Sequence, residues 1–409
     1  MSLHTQSTQV DPEMHSSRSL FWLLTGFLAF LLTLLALNAL GMLPTLHLPD
    51  AWVSRLMATG PLCCLGICFL ALGVFVGSRH PKTSEPGLER KHVYIDRERP
   101  AQDRKSLTTG PNAEKARHIF TIDLEDYFHT EAVHSTVSAD DWSTMPSRVE
   151  ESMDRLLALL ADSDASATVF VLGWVAQKHP ELIRRIQSCG HELACHSYMH
   201  RPVFRLTAEE FRRDTARAKK VIEDVSGAAV LGYRAPNFSI FDQTPWAFPI
   251  LADLGFVYDS STHPIHHDIS NNPNAPREPH MVANGQLLEL PVSTVRVAGV
   301  NWPIGGGGYF RMLPYHYSAI GLKTYSSKHS HPAVFYIHPW ELDAYQPRLL
   351  MPKKAMLRQY FGLGLTELKL KKLLSTYRFG SVSQVYGDAL SDMPATARRP
   401  EPCGLNAYA

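Results

Sequence analysis

The chain has 409 residues, 45% hydrophobic and 19% charged, with a net charge of +1. That length exceeds one ordinary domain and implies a functional unit plus an extension. The balanced charge excludes a steering field for nucleic acid, and the six cysteines, with no CxxC pair, fit a reduced compartment rather than a disulfide framework or a thiolate zinc site.

Residues 1–18 are polar and are expected to form a disordered tail. Leu20 to Leu43 carries no charged side chain, and a second apolar run covers Met57 to Gly77. At about 1.5 Å per residue either run is long enough for roughly 30 Å of hydrocarbon, so residues 19–78 are expected to hold two transmembrane helices. Residues 79–116 form a linker rich in Lys and Arg. By the positive-inside rule this places the following domain in the cytoplasm, as part of a multi-pass protein of the inner membrane.

From residue 118 the pattern alternates between strand and helix. Strands are expected at HIFTIDL (118–124), ATVFVLG (167–173), HELACH (191–196), VLGYRAP (230–236), FVYDSS (256–261), LLELPV (287–292) and AVFYIHP (333–339). Helices are expected at Ser147–Ala161, Trp174–Gln187, from Thr207 with a Thr207-x-x-Glu210 capping box, Pro245–Leu254, Pro314–Lys328 and Leu357–Leu374. Residues 387–409 are expected to be a disordered tail. Repeated strand–helix units imply an α/β fold, a parallel sheet or barrel covered by helices, with chemistry where strands end.

The strand ends carry polar residues of catalytic type. Asp123, Glu125 and Asp126 follow one another closely; a divalent cation or an exposed loop would relieve their repulsion. His196 and His200 stand at i and i+4, a metal-ligand spacing if that segment is a helical turn. Twenty histidines predict roughly one such pair by chance, and a second pair, His263 and His267, exists. Arg234 can pair bidentately with a carboxylate. His338 can transfer a proton near neutral pH. Tyr233, Pro236, Asn237 and Trp340 are candidate substrate contacts, with core packing the competing reading for Tyr233 and Trp340. The Gly305–Gly308 loop could bring backbone close to a sugar.

The order of these motifs, TIDLED (121–126), HSYMH (196–200), RAPN (234–237), YDSS (258–261) and YIHPW (336–340), resembles the NodB-type polysaccharide deacetylases, carbohydrate esterase family 4. DLEDYFH (123–129), GGGYFR (306–311), LPY (313–315), HPWE (338–341) and QPR (346–348) resemble the subgroup associated with exosortase/PEP-CTERM exopolysaccharide loci. The resemblance implies a distorted (β/α)7-type NodB barrel over residues 117–345, with a C-terminal extension helix region at 346–386. It implies Asp123 as general base, Arg234 as its orienting partner and His338 as general acid. It also implies metal ligands at His196 and His200 plus a carboxylate, Asp126 or alternatively Glu125, since the sequence departs from the family's adjacent aspartates.

The metal expected is Zn2+, with Co2+, Ni2+ or Fe2+ as alternatives. The substrate implied is an acetylated polysaccharide or lipid-linked glycan, N- or O-acetylated, with exopolysaccharide biosynthesis proteins as partners. Two other readings are a small-molecule C–N hydrolase of allantoinase or cyclic-imidase type, and a non-catalytic carbohydrate-binding scaffold on the membrane.

Overall fold

Strand β1, His118–Leu124, is buried at every position, on both faces of the sheet. Such a strand belongs in the middle of a covered parallel sheet. The structure, a computed structural model, describes residues 118–392. In it β1 pairs in parallel with β2 (Thr168–Val171) along its second half, and the sheet continues through β3 (Glu192–Cys195), β4 (Gly232–Tyr233) and β5 (Tyr258–Asp259). Beyond the edge strand β6 (His280–Val282) comes in chain order β7 (Leu287–Glu289), which lies between β5 and β6 and pairs antiparallel with β6. A two-stranded ribbon, β8 (Thr294–Val297) and β9 (Val300–Pro303), stands apart. On its other side β1 pairs with β10 (Ala333–Ile337), and β11 (Phe379–Gly380) also joins β1.

The sheet order is β10-β1-β2-β3-β4-β5-β7-β6. The expected distorted barrel takes the form of an open half-barrel. Where its two ends approach, Ser293 donates its N–H to the Val334 carbonyl and its Oγ accepts the Val334 N–H at 2.8 Å.

Helices cover the sheet. They are α1 (Val149–Asp162), α2 (Gly173–Lys178), α3 (Pro180–Ser188), α4 (Ala208–Ser226), α5 (Ala247–Asp253), α6 (Gly307–Met312), α7 (Tyr315–Lys328), α8 (Lys353–Tyr360), α9 (Leu363–Thr376) and α10 (Val382–Ser391). The Thr207–Glu210 capping box opens α4 as expected, and Gly227, in the left-handed conformation, ends it. The single helix expected over Trp174–Gln187 is broken at His179-Pro180, because proline at the start of α3 has no N–H to continue the ladder of α2. The helix expected over Leu357–Leu374 is likewise two, separated by Gly362 at φ 79°. Helix α10 runs to Ser391, so residues 387–391 are not the expected tail. Phe120, Ile122, Phe335 and Ile337, fully buried on β1 and β10, each contribute about 1.5–3 kcal/mol of burial to the core.

Among the described residues no helix is long and apolar enough to cross a membrane. The two expected spans and the charged linker lie outside the described residues. The expected membrane partner, inner-membrane location and cytoplasmic orientation accordingly have no support and are withdrawn.

Candidate functional site

Parallel strands deliver their C-terminal ends to one edge, and the polar residues collect there. Asp123 is next to last in β1 and Glu125 follows it; His196, Arg234 and His338 come directly after β3, β4 and β10. These ends surround a cavity of about 440 Å³ whose wall includes Asp123, Glu125, His196, Asn237, His338 and Trp340.

Glu125, His196 and His200 each offer a ligand atom, and these atoms lie within 4.8 Å of one another. All three side chains are buried. His196 Nδ1 lies 2.8 Å from the Arg234 carbonyl oxygen, which only an N–H can approach favourably. That fixes the tautomer and leaves Nε2 as a lone pair, 3.2 Å from the Glu125 carboxylate. His200 Nε2 is 2.9 Å from the same oxygen, yet neither ring nitrogen of His200 is aligned for a hydrogen bond with any partner. Acceptors aimed at one point, with an orphaned buried imidazole among them, fit a divalent cation. Two imidazoles and one carboxylate, with room left on the cavity side, are a donor set suited to Zn2+ and shared by other borderline metals.

The histidine segment is not the helical turn its spacing suggested. Ser197 and His200 have φ of 62° and 52°, a left-handed conformation unfavourable for residues with a Cβ. The loop is held by Asp214, whose Oδ2 accepts the Tyr198 N–H at 2.8 Å, and by Ser197 Oγ, which accepts the His200 N–H.

Asp126, expected first among the carboxylate ligands, faces elsewhere. Its Oδ2 accepts from Ser147 Oγ (2.7 Å), Arg148 N (2.8 Å) and Val149 N (3.2 Å), the start of α1, and its Oδ1 from Tyr127 N. It caps a helix whose unpaired N–H groups need an acceptor. Burial still pushes its pKa up, against those donors. The structure brings Glu125, not Asp126, to the histidines.

Arg234 is fully buried and completely engaged. It donates to Asp123 Oδ1 (2.7 Å), Thr121 Oγ1 (2.8 Å), the Ser260 carbonyl (3.0 Å) and Ser260 Oγ (2.8 Å). The other Asp123 oxygen faces His338 Nε2 at 3.8 Å.

His338 Nδ1 meets Glu341 Oε1 at 2.6 Å. Glu341 Oε2 accepts from Arg311 Nε at 2.7 Å, and Arg311 also donates to the carbonyls of Arg358, Gln359 and Phe361. Burial would lower the pKa of His338, but Glu125, Glu341 and Asp123 overcome it and push it up to about 9. Burial likewise opposes ionisation of Glu125, but His200 and His338 hold it well below the usual carboxylate range. The pair Arg311 and Glu341 is not singled out as functional by the sequence, although Arg311 ends the GGGYFR motif and Glu341 the HPWE motif.

Of the candidate substrate contacts, Asn237 and Trp340 line the cavity, and Trp340 stacks on His338 at 5.4 Å. Tyr233 and Pro236 do not line it. Successive residues of an extended strand point to opposite faces, so Tyr233 faces away from Arg234 into the core, against Phe211 and Phe256. Pro236 is buried in a short turn closed by Ser239 Oγ on its carbonyl. The glycine loop packs on β10: a Cβ at Gly305 or Gly306 would collide with Phe335 or Tyr336. His263 and His267 both reach the cavity wall.

Residues 134–258 match the family model for polysaccharide deacetylase, and residues 260–387 match a domain of unknown function, DUF3473. The boundary falls just after Tyr258 in β5, between strands of one sheet. A peptidoglycan deacetylase of Helicobacter pylori is 30% identical over 133 residues, 32% of this chain and 44% of that protein. A peptidoglycan-N-acetylglucosamine deacetylase of Bacillus cereus is 29% identical over 98 residues, 24% of this chain and 36% of that protein. The matched part thus spans less than half the length of either relative. Among solved structures, Puue allantoinase aligns with a TM-score of 0.44 at 15% identity, covering 70% of this chain and 93% of that one. The match to the polysaccharide deacetylase family model thus covers residues 134–258, the part that holds β2 to β4, His196, His200 and Arg234.

Proposed function

We propose that the protein hydrolyses N-acetyl groups on sugars of a polysaccharide, with a divalent metal held by Glu125, His196 and His200. The observation that carries this reading is the convergence of that triad, the Asp123–Arg234 pair and His338 on one cavity. When bound, the metal would supply Lewis acidity toward the amide carbonyl and the attacking water. Asp123 acts as general base, taking a proton from that water on the oxygen not held by Arg234. Arg234 orients the carboxylate within a buried site. His338 donates its proton to the departing amine, and Glu341, fixed by Arg311, sustains the imidazolium. Asn237 and Trp340 contact the sugar. An exopolysaccharide as the polymer is a finer reading that rests on the resemblance of DLEDYFH and GGGYFR to the exosortase-associated subgroup.

The test is acetate release from N-acetylglucosamine oligomers and partially acetylated polysaccharide by the zinc-loaded chain. Release that is lost in Asp123→Asn and His196→Ala supports the assignment. Bound metal with no acetate release from any N- or O-acetylated glycan would overturn it.

A further inference from the structure

A second group of two imidazoles and a carboxylate lies far from the cavity. His331 precedes β10 by two residues and His338 follows its last residue. The five-residue strand β10 runs between them, about 16 Å at about 3.3 Å per residue, so the group at His331 sits at the opposite end of that strand. There Glu278, His329 and His331 each present a ligand atom, all within 4.8 Å of one another.

The local geometry prepares these groups. His329 leaves α7 in an extended conformation (φ −126°, ψ 143°), and a bend at Ser330 and His331 follows before β10. The His329 and His331 rings stand 5.2 Å apart. Tyr325, one turn back on α7, stacks on His329 at 4.4 Å and its hydroxyl meets His331 Nδ1 at 3.1 Å. That contact orients the ring and leaves His331 Nε2 buried with no hydrogen-bond partner. Glu278 Oε1 stands 3.1 Å from His329 Nδ1. Ligand atoms around a tetrahedral zinc, with bonds of about 2.0–2.1 Å, are roughly 3.4 Å apart. Glu278 Oε1 and His329 Nδ1 already stand close to that spacing.

The position gives the group a purpose. Glu278 lies just before β6 and the two histidines just before β10, and β6 and β10 are the two ends of the open sheet. We propose that Glu278, His329 and His331 form a second, structural site for Zn2+ or a similar borderline divalent cation, which clips the open half-barrel shut at the end opposite the catalytic cavity. An open edge strand is a weak point of a sheet, and an ion that binds only the folded arrangement stabilises it by mass action.

The experiment measures zinc bound per chain at low micromolar free zinc, with no other ligand, and thermal unfolding with and without zinc. Wild type, Glu125→Ala, Glu278→Ala, His331→Ala and the double variant Glu125→Ala/Glu278→Ala are compared, all as the full chain. About two equivalents in wild type are expected, one in each single variant and none in the double, since each substitution leaves its site with only two protein ligands. Zinc is expected to raise the unfolding temperature of Glu125→Ala and not that of the double variant. Glu278 is exposed, so its replacement leaves folding intact even where His331→Ala does not. Glu278→Ala binding as much zinc as wild type would overturn the clip. One equivalent in wild type that is lost in Glu278→Ala but kept in Glu125→Ala would support the clip and overturn the catalytic metal triad instead.

Discussion

Arg234 Nη1 and Asp123 Oδ1 form a 2.7 Å ion pair in which the arginine side chain is fully buried and the aspartate nearly so. A charge pair so enclosed is costly to desolvate, and it endures only because Thr121 and Ser260 satisfy the rest of the guanidinium. Arg234→Ala is expected to destabilise the protein by about 3–5 kcal/mol, since it leaves Asp123 buried without its cation. Asp123→Asn keeps an acceptor for Arg234, so it is expected to hold most of its stability while acetate release falls by about 10²–10⁴-fold. Urea unfolding beside initial rates separates the two effects; an Asn variant with wild-type rates would remove Asp123 from the mechanism.

In the proposed role of general acid His338 must carry its proton, and its neighbours push its pKa up to about 9. The protonated form is present below that pH and is lost as pH rises through it, so His338 gives activity an alkaline limb. A dication beside Glu125 opposes part of that rise, so the limb in the loaded protein is expected below 9. Glu341→Gln removes a raising charge and is expected to move the limb to lower pH. An unchanged kcat profile in Glu341→Gln would show that the limb belongs to another group.

Burial pushes the pKa values of His129 and His263 down to about 3. Between about pH 6.5 and 3 the unfolded chain takes up a proton at each that the native state refuses. Each therefore costs stability as pH falls, by about 1.4 kcal/mol per pH unit, while raised carboxylates such as Asp126 act in the opposite sense. The expected signature is a difference: His129→Gln should show a slope between pH 6 and 5 smaller by about one proton than wild type. Identical slopes in urea titrations would mean that the native state admits the proton.

Gly306 has φ 99°, and a Cβ there would strike Tyr336 of β10, two residues before His338. Gly306→Ala combines backbone strain with overpacking and is expected to cost about 2 kcal/mol or more. Thermal unfolding reads this directly; a variant as stable as wild type would mean the loop can move off β10.

Asp123, His196, Arg234 and His338 could be picked out along the chain because each ends a strand whose pattern is plain, and parallel strands bring like ends together. The carboxylate of the triad could not. Glu125 and Asp126 are adjacent and chemically alike, and what separates them is the start of α1, more than twenty residues on, which takes Asp126 as its cap. Tyr233 beside Arg234 misled for a similar reason: one residue along a strand reverses the face. Strands β6, β8 and β9 escaped detection because they are partly exposed and carry no continuous apolar run, and β11 because its two residues lie outside one.

Local order in the chain decided the fold class, the capped helix α4 and the set of polar residues at one sheet edge, because hydrophobic period and capping chemistry act over a few residues. Tertiary structure alone decided that the sheet stays open, that Arg311 reaches across 30 residues to hold Glu341, and that Glu278 meets His329 and His331 where the two sheet ends approach. Those contacts join segments whose separation carries no pattern of its own, and only the packing of the intervening elements sets the distance between them.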